Sequence, residues 1–353
     1  MTRQFLADIV TSEQIPALAV AVSRETETIQ SLAFGHLNPS SESPSATTDT
    51  IFLVASITKP VVTTAVMLLV ERGLLKLDDF VHRLIPEFNN NGKEDVQVYH
   101  LMTHTSGLPD MLPENTQLRQ EHALLAEFVK RICQLPLDFT PGTQIQYQSC
   151  GIALLGEIIE RLTGNSLPHF LHVEIFQPLQ MHRTSLGLGP LPVDQIAYID
   201  VGAEMENESW NWNRDYWRNF AAPWGGMFST AKDLSRFGQM FDSFVDWIFH
   251  SAFFIGLGWG KYSASTDFFW VWLGIAAALG ATINYFIGCY LLIKRQQDAS
   301  PPSEYHYASP DKPITWMDQA IFVFRELARA DFWLLVFTLS LFGLAWVGGA
   351  VVF

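Results

Sequence analysis

The sequence predicts an α/β (α+β) domain followed by transmembrane α-helices. Three observations carry this. A β-type run, ALAVAVSR at 17–24, is followed at once by a second candidate strand, ETIQSLAFGHLN at 27–38. Apolar stretches of helical length, from Val61 to Val70 and at 151–163, alternate with loops containing Gly and Pro. The last third holds long stretches without formal charge: Phe268–Ile293 has 26 residues and Phe332–Phe353 has 22. A helix needs about 20 apolar residues to cross a bilayer.

Composition narrows the function classes. The 353 residues carry a formal net charge of −14. That balance offers no basic face, so nucleic acid is excluded as a partner. The three cysteines, Cys133, Cys150 and Cys289, form no Cys-x-x-Cys pair. Their number and spacing do not suggest a disulfide framework. The N-terminus, MTRQFLADIVTSEQ, has Asp8 and Glu13 interrupting any apolar core and reads as no secretory signal.

The two N-terminal runs predict an antiparallel hairpin. Residues 39–49, rich in Ser, Pro and Thr, read as a loop. A buried helix is expected from about Ser56 to Gly73, where the apolar run stops at Glu71-Arg72-Gly73. Residues 99–111, YHLMTHTSGLPDM, begin as a short helix and end in a turn. At 151–163 the apolar positions 152, 154, 155, 158 and 159 define an amphipathic helix. WGGMFSTAKDLSRFGQM at 224–240 gives a Gly-Gly turn and a helix start, with Thr230 and Asp233 spaced as a capping box.

Ser56-Ile57-Thr58-Lys59 fits Ser-x-x-Lys. Two residues three apart on a helix share one face, so the amine reaches the hydroxyl. A serine hydroxyl is a poor nucleophile without such a proton partner. A helix N-terminus adds backbone N–H groups and a positive potential where an oxyanion forms. The pattern alone is weak, and Ser229-Thr230-Ala231-Lys232 repeats it; that copy reads as a helix start. Tyr147, in Tyr147-Gln148-Ser149, is a candidate general base, because a neighbouring cation stabilises a phenolate. His104 in HTSGLP reads as a turn-stabilising residue.

With these pieces in order, the chain resembles the class C β-lactamase-like serine hydrolases, which include penicillin-binding carboxypeptidases, D-amino-acid peptidases and esterases. The matching blocks are FLVASITKPVVTTAVMLLVERGLLKLDD, HLMTHTSGLPD, TPGTQIQYQSCGIALLGEIIERLTG and GGMFSTAKDLSRFGQM, spread over about 15–240. The resemblance implies a β-lactamase-like fold and hydrolysis of an amide or ester in a small molecule or peptide, through an acyl-enzyme and without a cofactor. It assigns Ser56 as nucleophile, Lys59 as its proton partner and Tyr147 as general base. Ser149 stands where the family often has Asn and would bind substrate or Lys59. The family pattern continues with a late strand bearing Lys-Thr-Gly or His-x-Gly, which supplies the second oxyanion donor. No such motif follows residue 240, so the domain is expected to be incomplete at its C-terminal strands. Loss of one oxyanion donor typically costs about 10²–10³ in rate.

Beyond 235 a second resemblance begins. Gly238 to Asp246 fits Gly-x-x-x-Asp-x-x-x-Asp ahead of hydrophobic stretches. That is half of the signature of CDP-alcohol phosphatidyltransferases, in which aspartates hold divalent metal. It implies Asp242 and Asp246 as metal ligands, with Mg²⁺ or Mn²⁺ as the hard cation that suits them, and a transferase fragment or a non-catalytic membrane protein as the alternative reading. The first half of the signature is absent at 224–229. The expected organisation is a hydrolase domain, 1–237, and a membrane domain, 238–353, with two or three helices at about 244–260, 268–293 and 332–353. Three spans leave the basic 294–331 loop on the same side as the hydrolase part, as the positive-inside rule requires. The expected location is therefore a multi-pass membrane protein with a cytoplasmic N-terminal domain and lipid as a partner.

Overall fold

The computed structural model of the chain describes residues 2–12, 15–24, 27–39, 42–239, 268–269, 271–273, 275, 278–279 and 282. The chain divides into two units, Met1–Phe241 and Asp242–Phe353. The first contains the elements that follow.

A run of small and β-branched apolar residues, ALAVAV, opens the predicted hairpin. β1 (Ala17–Arg24) pairs antiparallel with β2 (Glu27–Gly35), with a register shift between Val22 and Ser23. α1 (Thr2–Ser12) precedes the hairpin and packs against β2. A second sheet is assembled from pieces far apart in sequence. β3 (Phe52–Leu53), β4 (Ser185–Leu186) and β5 (Met227–Ser229) run antiparallel in the order β3-β5-β4. Among the described residues no strand follows β5.

The helices form the bulk of the domain. A 3₁₀ turn, Ala55–Ile57, leads into α2 (Thr58–Glu71), so the helix begins two residues later than the expected start at Ser56. α3 (Val81–Leu84), α4 (Val98–Met102), α5 (Asn115–Gln120) and α6 (Leu125–Ile132) follow, then α7 (Cys150–Thr163), α8 (Leu167–Leu171) and α9 (Asp215–Phe220). α2 and α7 pack together at the centre. Val62, Ala65, Val66 and Leu69 of α2 and Leu154, Leu155, Ile158 and Ile159 of α7 are fully buried. Truncating one of these large aliphatic side chains to Ala costs about 2–5 kcal/mol. This packing fixes α2, and with it the turn that carries Ser56.

The expected capping box is half formed. The Asp233 N–H donates to Thr230 Oγ1 at 3.1 Å, but the Asp233 carboxylate accepts from the Arg183 N–H at 2.8 Å and Thr184 Oγ1 at 3.1 Å. Tertiary donors take the carboxylate that a local box would use. The second Ser-x-x-Lys copy is structural: Ser229 ends β5, is fully buried and hydrogen-bonds Thr184 at 2.8 Å.

Of the expected membrane spans, 244–260 and 332–353 lie outside the described residues, and 268–293 is described at nine positions. No helix among the described residues is long and apolar enough to cross a membrane.

Cys133 and Cys150 are free and buried. Burial pushes the Cys133 thiol up to about 11 and the Cys150 thiol up to about 12, from 9.0. Between those values the native state keeps protons that the unfolded chain has lost. The stabilisation is therefore complete below pH 9 and declines as pH rises toward 11–12. Lys93 acts oppositely. Burial lowers its amine from 10.5 to about 8, so the unfolded chain binds the extra proton between those values and stability rises there. Denaturant midpoints from pH 8 to 11 are expected to rise slightly to about pH 9 and then fall. Cys133→Ala/Cys150→Ala makes the fall shallower; an unchanged decline refutes the assignment.

Candidate active site

The first motif sits at a turn held from two directions. Ala55 has φ 45°, a left-handed conformation that costs a non-glycine residue about 1–3 kcal/mol. The Thr58 hydroxyl pins this turn by donating to the Ala55 carbonyl at 2.6 Å and accepting from the Met227 N–H at 3.1 Å. The Val54 N–H donates to the Met227 carbonyl at 2.9 Å. The segment before Met227 bends tightly enough that a Cβ on Gly226 would lie 2.5 Å from the Ala222 nitrogen, so only glycine fits there. The FLVASITK and GGMFST blocks, about 170 residues apart, are thus one structure.

Ser56 is exposed at this turn, and Lys59, in the first turn of α2, is buried at 5% exposure. The Lys59 amine donates to Ser56 Oγ at 3.0 Å and to the Trp224 carbonyl at 2.8 Å. The Tyr147 hydroxyl donates to Ser56 Oγ at 2.7 Å. Lys59 Nζ lies 4.7 Å from the Tyr147 ring centroid. The serine oxygen therefore faces solvent while an amine and a phenol both reach it. This is the geometry of an activated nucleophile, with two groups able to exchange its proton. The Ser56 N–H belongs to the 3₁₀ turn that precedes α2, at whose start backbone donors have no helical acceptor.

Ser149 is held by Asp110. It is the N-cap of α7, but its side chain caps no helix N–H. Its hydroxyl donates to Asp110 Oδ1 at 2.8 Å, and its N–H donates to the same oxygen at 2.9 Å. The Ser149 O–H is thus spent on the Asp110 carboxylate, a strong acceptor; the Lys59 amine donates elsewhere, to Ser56 Oγ and the Trp224 carbonyl. Ser149 also lines a small recess with Met111, Phe128, Ile132 and Trp224. Asp242 and Asp246 lie outside the described residues.

Two contributors were not assigned from the sequence. Asp110 stands inside the quoted HLMTHTSGLPD block, so its position was visible but its role was not. The Trp224 carbonyl is a backbone group and leaves no side-chain signal.

The HTSG turn packs beneath Tyr147. A Cβ at Gly107 (φ 84°) would lie 2.2 Å from the Phe139 carbonyl oxygen, which ties this turn to the 138–147 loop. The His104 ring lies 5.0 Å from the Tyr147 ring, tilted 42°. Burial first, and then the Lys59 cation, lower the imidazole below its ordinary range, while Asp110 opposes them.

The beta-lactamase family model matches residues 2–265, which includes the positions of Asp242 and Asp246. Penicillin-binding protein 4 of Amycolatopsis lactamdurans is 31% identical over 241 residues, covering 65% of this chain and 60% of that protein. Esterase EstB of Burkholderia gladioli is 39% identical over 148 residues, 38% of each chain. The chain therefore spans less than two thirds of these relatives. Among solved structures, the D-amino acid amidase of Ochrobactrum anthropi SV3 with L-phenylalanine superposes with a TM-score of 0.56 at 25% identity, covering 66% of this chain and 68% of that one. The octameric penicillin-binding protein homologue of Pyrococcus abyssi has the same fold, with a TM-score of 0.55 and 24% identity, over 67% of this chain and 55% of its own. Motif order, the Ser56 turn and a match over three quarters of the length converge: the chain belongs to the beta-lactamase family of serine hydrolases.

Proposed function

We propose that this chain hydrolyses an amide or ester bond in a small molecule or peptide through an acyl-enzyme on Ser56. The observation that carries the reading is the meeting of the Lys59 amine and the Tyr147 hydroxyl at one solvent-facing oxygen, at 3.0 and 2.7 Å. In this reading Tyr147, as phenolate beside the Lys59 cation, takes the proton from Ser56 as Oγ bonds to the carbonyl carbon. The tetrahedral oxyanion forms near the Ser56 N–H. Tyr147 then returns the proton to the leaving amine or alcohol as the C–N or C–O bond breaks. Water, deprotonated by the same phenolate, attacks the acyl carbon; the bond from that carbon to Ser56 Oγ breaks, and Tyr147 returns the proton to Ser56 Oγ as the acid leaves. The relatives' names, a penicillin-binding protein, an esterase and a D-amino acid amidase, support acyl transfer to serine as the shared chemistry.

The test is presteady-state hydrolysis of a p-nitrophenyl ester by the full chain. The expected result is a burst of about one p-nitrophenol per site followed by slower turnover, as an accumulating acyl-enzyme gives. Ser56→Ala removes both phases. Equal turnover by Ser56→Ala and the parent overturns the reading.

A further inference from the structure

We propose that His104 is a positioning residue for Tyr147, gripping it from both flanks, and that the side-chain half of this grip holds only while Nδ1 carries a lone pair. The inference rests on the Ser56 reading above. The Gln146 N–H donates to the His104 carbonyl at 2.9 Å, and the Gln148 N–H donates to His104 Nδ1 at 3.3 Å. The residue between them, Tyr147, lays its ring against the imidazole. One side chain and its own carbonyl thus hold the residues before and after the phenol, and the ring itself.

The far flank is anchored a second time. Gln148 is fully buried, its Oε1 accepts from Ser106 Oγ at 2.6 Å, and its Nε2 donates to the His100 carbonyl at 3.3 Å. Tyr147 is half-exposed, so core packing does not hold it. His104 itself sits at φ 61°, a conformation in which a non-glycine residue is uncommon and in which His and Asn are enriched. A strained residue over-determined by its surroundings is a reasonable place to look for function.

The lone-pair requirement follows from the bonds. In the neutral ring Nδ1 accepts from Gln148, and the proton sits on Nε2. In the imidazolium both nitrogens are donors, so Nδ1–H would face the Gln148 N–H. The charged and titratable groups around the ring are Lys59 from α2, Asp110 from the loop before α5, and Tyr147 itself. Protonation places a second cation beside Lys59, with Asp110 as the opposing charge.

The test is the rate of fluorophosphonate labelling of the full chain between pH 5 and 9, with circular dichroism recorded at each pH. His104→Asn keeps the left-handed backbone and puts Oδ1 about where Nδ1 stands, so it retains the bond to Gln148 without a titratable ring. His104→Ala loses the bond and the ring contact. The expected result is a labelling rate about 10–100-fold lower for His104→Ala at pH 8, the size of loss that a misplaced catalytic group produces, and a loss smaller than this for His104→Asn. Below pH 6.5 the wild-type rate falls more steeply with acid than the His104→Asn rate. Should His104→Ala not fold, the comparison of wild type with His104→Asn decides. Superimposable pH profiles for those two, with Ser56 labelled in both, overturn the positioning role and leave the Ser56 reading standing. A wild type that labels nowhere overturns both.

Discussion

Tyr147→Phe is expected to lower kcat/KM for ester hydrolysis by about 10²–10⁴, the contribution of a positioned general base, with stability within about 0.5 kcal/mol of the parent. The substitution removes one oxygen, which lies 2.7 Å from Ser56 Oγ. The ring stays in place against His104 and beneath the Lys59 amine. The side chain is 49% exposed, so the deletion leaves no cavity in the core. Steady-state kinetics and thermal unfolding on the same sample separate the two quantities. An unchanged rate means that Lys59 alone manages the proton, and the role assigned to Tyr147 fails.

Lys59→Met is the second large effect, and its two consequences differ. Acylation is expected to fall by at least about 10², because the amine that holds both Ser56 and the phenol's electrostatic environment is lost. Stability is expected to change little. Two terms compete here. Removing the amine leaves the Trp224 carbonyl without this donor, a cost of about 1–3 kcal/mol. Against it stands the cost of burying an ammonium group, several kcal/mol per ion in real proteins. Among the described residues the hydrogen-bond partners of Lys59 are a hydroxyl and a carbonyl. The two contributions oppose one another, so the net change in stability is small. Denaturant midpoints and labelling rates measured together check both halves. A marked loss of stability would show that the amine is chiefly a structural donor.

Much of the site was legible because short-range spacing forces short-range geometry. Ser56 and Lys59 are one helical turn apart, so a pattern of four letters already places an amine beside a hydroxyl. The apolar phase of 151–163 marks the buried face of α7 directly, and the β-type run at 17–24 with its neighbour at 27–38 marks the hairpin. What stayed hidden depends on groups without a sequence signature. β3 and β4 have two residues each, too short for any period to show. The left-handed φ at Ala55, the Trp224 carbonyl on Lys59 and the Met227 N–H on Thr58 are backbone events. A local rule failed where distant partners competed: Asp233 spends its carboxylate on Arg183 and Thr184. His104 read as a turn residue, and it is one. Its contact with Tyr147 arises only when residues 104 and 147 meet in space.

The exposed serine at the Ala55 turn also separates the two Ser-x-x-Lys copies physically. Ser229 is fully buried and hydrogen-bonded to Thr184, so no reagent reaches it in the folded chain. Peptide mapping by mass spectrometry after fluorophosphonate treatment of the full chain addresses this directly. The account predicts a single adduct, on Ser56, absent from protein unfolded before treatment. An adduct on Ser229 or any other serine, with Ser56 unmodified, contradicts it.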